Sequence, residues 1–255
     1  MRIGELPPGG PVRVWLLPAA ADEVAAAERL AWLLDDEERR RAERFVFPAD
    51  REIYLLAHVG LRLLLGSCLA CHPRDVVLDR APCPGCGGPH GRPVPAAAHH
   101  GTDLHFSLTH TRGLAVCAVA GAEVGVDAET PDGRSTTVAD VLPMLHPAER
   151  KVIEAQQGAA RAAAFRAAWV RKEAYLKGTG TGISVPLDSV HTGVGTPYEP
   201  APAPAPAGWG ITARTTTTGA AWAVAVRGTA GEPAPAVQEG GLATAGERFA
   251  TARSD

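Results

Sequence analysis

Apolar residues fall in short runs of two different periods along this chain. The mostly apolar run Val12 to Leu17 has strand length and predicts a first β-strand. An alanine-rich helical stretch follows from about Asp22 to Leu34, then a short basic helix from Asp36 to Arg44. Beyond Asp50, a natural N-cap, Ile53, Leu56, Ala57, Gly60, Leu61 and Leu64 share one helical face, and Gly66 suits the end of that helix. After a Pro/Gly/Cys-rich loop over residues 81–98, strands are predicted at 104–108, 114–120 and 123–127. Pro147 to Lys177 reads as helical and stops at the run Gly178-Thr-Gly-Thr-Gly182. Further strands are predicted near 189–192, 209–214 and 221–226, separated by a Pro-Ala repeat over 195–207 that reads as an extended surface loop.

Strand, helices and strands therefore occur twice, which predicts an α+β protein of two similar halves, residues 1–121 and 122–228. The tail 229–255 is rich in Gly, Ala, Pro and charge, has little to bury, and reads as disordered.

Composition narrows the function. The 255 residues are 45% hydrophobic and 21% charged, ordinary for a soluble globular protein. A formal charge of −3 argues against a general nucleic-acid or membrane-surface binder, which carries a basic surplus. No apolar run approaches the roughly 20 residues that cross a bilayer. Five cysteines without a secretory signal predict a cytoplasmic protein with reduced thiols.

Two short patterns carry candidate chemistry. In Val124-Gly-Val-Asp-Ala-Glu129, a strand period of two puts Asp127 and Glu129 on one face. Neighbouring carboxylates repel unless one is protonated or a cation lies between them, and oxygen ligands of this kind suit Mg²⁺. A solvated structural pair is the alternative. Glu173 and Lys177 are four apart on the predicted helix and share a face, and an ordinary surface salt bridge explains that spacing equally well.

The motifs in their order are similar to the Sfp-type 4′-phosphopantetheinyl transferase family. Gly125-Val-Asp-Ala-Glu129 resembles the G-[IV]-D-x-E motif, and Trp169-Val-Arg-Lys-Glu-Ala-Tyr-Leu-Lys177 resembles W-x-x-K-E-[AS]-x-x-K. Gly180-Thr-Gly182 with Pro186-Leu-Asp188 resembles the G-x-G and P-L-D continuation. Upstream, Phe106-Ser-Leu-Thr-His-Thr111, Gly91-Arg-Pro93 and Arg44-Phe45 with Asp50 resemble F-[NS]-[IL]-[ST]-H-[ST], G-[KR]-P and the RF…D helix start. The resemblance spans roughly residues 10 to 227 and implies two α/β halves related by a pseudo-twofold axis, with the site between them in a monomer.

The resemblance also implies roles. Asp127, Glu129 and Glu173 would hold one Mg²⁺ against the pyrophosphate of coenzyme A. A serine hydroxyl of an apo acyl or peptidyl carrier protein would attack the β-phosphoryl group, releasing 3′,5′-ADP. Glu173, or a water, would be the base; Lys177 would stabilise the leaving diphosphate and Lys172 would add positive field. Gly91, Arg92, Thr109 and His110 would contact coenzyme A, with Arg41 and Arg51 as looser candidates; a solvated basic helix face (Arg39, Arg40, Arg41, Arg44) is nearly as good an account of Arg41. Carriers of secondary metabolism, polyketide or nonribosomal peptide, or of fatty-acid synthesis are the implied partners.

Cys68-x-x-Cys71 and Cys83-x-x-Cys86 have the spacing of a four-cysteine structural Zn²⁺ site, with His72 and His90 as spare ligands and unpaired thiols as the alternative. Two other classes stand beside the transferase: a zinc-ribbon interaction protein, and another Mg²⁺-dependent phosphoryl enzyme such as a hydrolase.

Overall fold

The computed structural model describes residues 12–97, 103–131, 138–229 and 231–245. Strand β1 (Arg13–Pro18) leads into helices α1 (Ala21–Arg29), α2 (Asp36–Glu43) and the long α3 (Pro48–Cys68). A short ladder, β2 (Leu78–Arg80) with β3 (Pro93–Pro95), precedes the hairpin β4 (His105–Thr111) and β5 (Leu114–Ala120). The second half runs from β6 (Val124–Glu129) through α4 (Val138–Val141), α5 (Pro147–Glu154) and α6 (Gly158–Thr179) to the hairpin β7 (Trp209–Thr215) and β8 (Ala221–Arg227). A last strand, β9 (Ala236–Glu239), is followed by a helical turn over residues 242–245.

Two sheets result, ordered β4-β5-β1-β9 and β6-β8-β7. In each half the first strand pairs antiparallel with the second strand of the later hairpin, β1 with β5 and β6 with β8, so one strand order occurs twice. The sheets pack against each other and each carries helices on its other face. β1 shows why its run has so little polar punctuation: Val14 and Leu16 join the core between the sheets, while Trp15 and Leu17 join the core under α1 and α3. β6 is likewise covered twice. Val124, Val126 and Ala128 lie between the sheets, and Gly125, Asp127 and Glu129 take the opposite face by the strand period.

Helix α6 covers that opposite face. The cross-strand partners of Gly125, Asp127 and Glu129 on β8 are Ala225, Ala223 and Ala221, small residues that let the helix lie close. Those alanines pack with Val170, Ala174, Trp209 and Ile211. Gly125 sets the spacing: a Cβ there would stand 2.0 Å from the Ala174 carbonyl oxygen and 2.3 Å from the Gly178 nitrogen. Helix α6 ends at Gly180, which takes a left-handed φ of 74° that glycine adopts without Cβ penalty.

Several expectations are corrected. Helix α3 begins at Pro48, with Phe47 rather than Asp50 at the N-cap, because proline's fixed φ suits the first helical turn. It runs through Gly66 to Cys68; there the missing side chain admits the returning backbone, since a Cβ would meet Cys71 O and Pro73 Cα at 3.0 Å. The helical region from Pro147 is two helices separated at residues 155–157. The chain near 189–192 is not a strand; a 3₁₀ turn at Leu187–Ser189 occupies its start.

The tail is the largest correction. Residues 229 and 231–245 are not disordered: β9 pairs in parallel with β1, and Leu242 is fully buried in the core under α1 and α3. The Glu23 carboxylate accepts hydrogen bonds from the backbone N–H groups of Gly241, Leu242 and Ala243, at 2.5, 2.8 and 3.2 Å. The indole N–H of Trp15 donates to Gly240 O at 2.8 Å. Few apolar residues are needed, because backbone pairing and one leucine anchor the segment. Residue 230 and residues 246–255 lie outside the described residues.

The four-cysteine arrangement is also not assembled. Cys68 lies at the end of α3 and packs with Cys71 against the first core, where burial pushes the Cys68 thiol up to about 11. Among the described residues, the cysteines gathered closely enough with another ligand to share a metal are instead Cys83 and Cys86, with His90.

Candidate active site

The acidic site forms where β4, β6 and α6 meet. Alternate residues on one face of β4 reach across to β6 as polar side chains. Ser107 Oγ accepts from the Val126 N–H at 3.0 Å, Thr109 Oγ1 donates to Asp127 Oδ1 at 3.1 Å, and Thr111 Oγ1 lies 3.5 Å from Thr130 Oγ1. β4 and β6 belong to different sheets, so these hydroxyls tie one half of the molecule to the other.

Lys177 completes the network. Its ammonium donates to Asp127 Oδ1 at 2.6 Å and to Thr109 Oγ1 at 2.9 Å. Glu173 sits one helical turn earlier on α6 and so shares that face. Asp127 is buried, 5% exposed, and its second oxygen, Oδ2, is buried without a hydrogen-bond partner. Burial raises the Asp127 pKa; the charge of Lys177, its hydrogen bond and that of Thr109 oppose the rise. Burial also raises the Glu173 pKa, reinforced by the charges of Asp127 and Glu129 and opposed by Lys177. Glu173 thus lies in the field of two other carboxylates, and one oxygen of Asp127 is desolvated and unpaired. Such a group is costly in a protein interior and is satisfied by a hard cation taking oxygen ligands.

Asp127, Lys177 and Thr109 are therefore joined in one hydrogen-bonded network, and Asp127, Lys177 and Glu129 act electrostatically on Glu173. Thr109 and His110 separate, as adjacent strand residues must. Thr109 is committed to the Asp127–Lys177 network; His110 takes the opposite face at the end of β4. Partial desolvation lowers the His110 pKa, and the positive charges of His58, Lys177 and Arg41 add to this against Asp50. The Arg41 guanidinium lies 5.8 Å from the Tyr54 ring centre, and the Tyr54 ring stacks on His58 at 4.1 Å. Arg41 of α2 and His58 of α3, packed about the buried Tyr54, thus act on His110 together with Lys177 of the acidic cluster. Arg51 is turned to Glu28, with an ion pair of 3.0 Å.

Arg92 comes from the loop before β3 yet reaches α6, donating to Gly178 O at 2.6 Å. A guanidinium at a helix C-terminus complements the partial negative charge there. Gly91 has a structural explanation: a Cβ would stand 2.2 Å from Ala81 O, the oxygen to which its own N–H donates.

Lys172 is not part of the cluster. It is fully buried, its ammonium 3.0 Å from Glu149 Oε2 and bonded to the carbonyls of Leu187 and Val190 at 3.0 and 2.5 Å. The same Glu149 accepts from the N–H and hydroxyl of Thr192 at 2.8 and 3.0 Å. Its charge is spent anchoring α5 and the chain after α6, because one residue along a helix turns the side chain by about 100° away from Glu173. Two contributors lay outside the predicted set: Ser107, detectable from its period-two relation to Thr109, and the Tyr54–His58 stack, detectable from its i, i+4 spacing.

Comparison with known proteins agrees with this geometry. Residues 123–224, which contain β6, α6, β7 and the first part of β8, match the model of the 4′-phosphopantetheinyl transferase superfamily. The 4′-phosphopantetheinyl transferase HetI of Nostoc sp. is 29% identical over 223 residues, spanning 87% of this chain and 90% of that protein. A phosphopantetheinyl transferase of Thraustochytrium sp. is 31% identical over 71% of this chain and 65% of its own length. The Sfp transferase of Bacillus subtilis is 26% identical over 64% of this chain and 67% of its own. The motif order along the chain, the cluster those motifs build and the end-to-end likeness to HetI agree, and the chain belongs to the 4′-phosphopantetheinyl transferase superfamily as an enzyme of that class.

Proposed function

We propose that this enzyme moves the 4′-phosphopantetheine arm of coenzyme A to a serine of an apo acyl or peptidyl carrier protein, with Mg²⁺ and release of 3′,5′-ADP. The observation that carries this reading is the unpaired, buried Asp127 Oδ2 beside Glu173 and Glu129. Those three carboxylates fit an oxygen-ligated Mg²⁺, which when bound neutralises and polarises phosphoryl oxygens.

The remaining chemistry falls to the chain's own residues. The carrier serine must lose its proton as its oxygen bonds to the β-phosphorus and the bond to the 3′,5′-ADP oxygen breaks. Glu173 can take that proton, directly or through a water, since its raised pKa makes it a stronger base than an exposed carboxylate. Lys177, held by Thr109 and Asp127, offers a pre-positioned positive charge for the departing 5′-phosphate of 3′,5′-ADP. Arg92 and Arg41 supply cationic groups for the phosphates of coenzyme A, with the His110 imidazole beside them as a hydrogen-bonding group. The repeated strand order supports two halves related by a pseudo-twofold axis, with the site between them in a monomer. We place the enzyme in the cytoplasm, serving carriers of secondary metabolism or fatty-acid synthesis.

The test is to incubate the protein with coenzyme A, Mg²⁺ and several apo carrier proteins and to weigh the carriers by mass spectrometry. A gain of one phosphopantetheine arm is expected, and no gain on any carrier overturns the reading. Glu173→Gln is expected to lower transfer by about 10²–10⁴-fold with an unchanged circular dichroism spectrum; normal turnover removes Glu173 from the mechanism.

A further inference from the structure

The loop between β2 and β3 is built to a pattern that the acidic site does not require. Its ends are joined by the β2–β3 ladder and by two bonds at the neck, Gly91 N–H to Ala81 O and Ala81 N–H to Arg92 O, both 3.0 Å. Beyond the neck, the Cys83 N–H donates to Gly88 O and the Gly87 N–H donates back to Cys83 O, both at 2.8 Å. Gly87 takes a φ of 72° in that turn.

This turn gathers three soft ligands. One atom each of Cys83, Cys86 and His90 lies within 4.8 Å of the others, and Cys86 Sγ is 3.1 Å from His90 Nε2. With Zn–S of about 2.3 Å and Zn–N of about 2.0 Å, the ligand–ligand edges of a tetrahedral site are roughly 3.5–3.8 Å, so the three atoms need move little to share an ion. Gly88 is packed against two of them: a Cβ would come within 3.3 Å of the Cys86 sulfur and 3.1 Å of the His90 ring.

We propose that Cys83, Cys86 and His90 bind one Zn²⁺ ion that pins the tip of this loop and thereby positions Arg92. Two thiolates and an imidazole are a soft donor set, which selects Zn²⁺ over the hard Mg²⁺ of the acidic cluster. Binding releases the two thiol protons to solvent, and a water or further ligand fills the fourth corner. The neck transmits the constraint. Arg92 is two residues from His90 and donates to Gly178 O at the end of α6, so fixing the loop fixes a cross-link between the two halves. The site differs from a four-cysteine one because Cys68 and Cys71 stay with the helical core.

The test uses the full chain, reduced and stripped with a chelator. Titration with Co²⁺ is expected to develop the visible ligand-field bands and near-ultraviolet thiolate charge-transfer band of a tetrahedral site, saturating at one ion per chain. Zn²⁺ is expected to displace the cobalt. The Cys83→Ser/Cys86→Ser double variant should lose these bands and Cys68→Ser/Cys71→Ser should keep them. Hydrogen exchange of amides 83–92 in the unsubstituted protein should slow about tenfold on adding Zn²⁺. A wild-type protein without the bands overturns the proposal. So do bands that survive in the Cys83/Cys86 variant or disappear in the Cys68/Cys71 variant. None of these readouts depends on transferase activity.

Discussion

Substituting Gly125 by alanine tests how the strand and the helix make the acidic site. The added Cβ would stand 2.0 Å from Ala174 O and 2.3 Å from Gly178 N, the pair that an α-helix joins one turn beyond Glu173. Ordinary contact begins near 3.4 Å, so helix and strand must part by about 1.4 Å or the helix must lose that bond. Both obstacles are backbone, and neither can rotate aside. Overpacking of this kind costs about 1–3 kcal/mol, which in a protein of this size lowers the melting temperature by roughly 2–12 °C. The effect on transfer should be larger. Glu173 and Lys177 ride on the displaced helix while Asp127 and Glu129 stay on the strand, and a misplacement of about 1 Å can cost on the order of 10²-fold in rate. Thermal denaturation and mass-spectrometric carrier loading measure the two effects on one preparation. Gly178→Ala is expected to be milder, since its closest obstacle is the Trp209 ring at 2.6 Å, a side chain that can shift. An unchanged melting temperature with transfer within about twofold of wild type would refute the claim that Gly125 sets the helix–strand distance.

Two more predictions concern charge. Asp127 and Glu173 both have raised pKa values, so the folded state holds their protons more tightly than the unfolded chain does. Their contribution to stability therefore falls as pH rises from the ordinary carboxylate value, about 4, toward the folded values. A divalent cation should relieve this: at ten times its Kd, Mg²⁺ is expected to stabilise the protein by about 1.4 kcal/mol near pH 7. By scanning fluorimetry the shift should vanish near pH 4 and in Asp127→Asn, and an equal shift at both pH values would contradict it. Lys172→Met should strand the buried Glu149 and cost about 3–5 kcal/mol, and pairing it with Glu149→Leu should recover much of the loss. An unchanged melting temperature together with a raised KM for coenzyme A would return Lys172 to the ligand site.

Local patterns were legible wherever one residue type has one structural use. The period of two put Asp127 and Glu129 on one face, and the helical repeat put Glu173 and Lys177 on another; the strands and helices that carry them are present. The N-cap was misplaced because Asp50 and Pro48 both signal a helix start, and only the chain's path decides between them. Lys172 was assigned by its place in a motif, but a helix sends consecutive side chains in different directions, and burial with Glu149 was invisible in the linear order.

The amino-acid sequence by itself carried the motifs that resemble the family, the two-part element order and the shared faces of Asp127 with Glu129 and of Glu173 with Lys177, because these depend on residue type and on periods of two and 3.6. Tertiary structure alone decided three things. It joined Thr109 and Ser107 of one half to Asp127 and Val126 of the other, contacts 18 and 19 residues apart that no local period contains. It returned the tail to β1, where backbone pairing and Leu242 outweigh a composition that suggested disorder. It also grouped Cys83 and Cys86 with His90 instead of with Cys68 and Cys71, since a sulfur ligand is chosen by where its backbone is held and not by spacing along the chain.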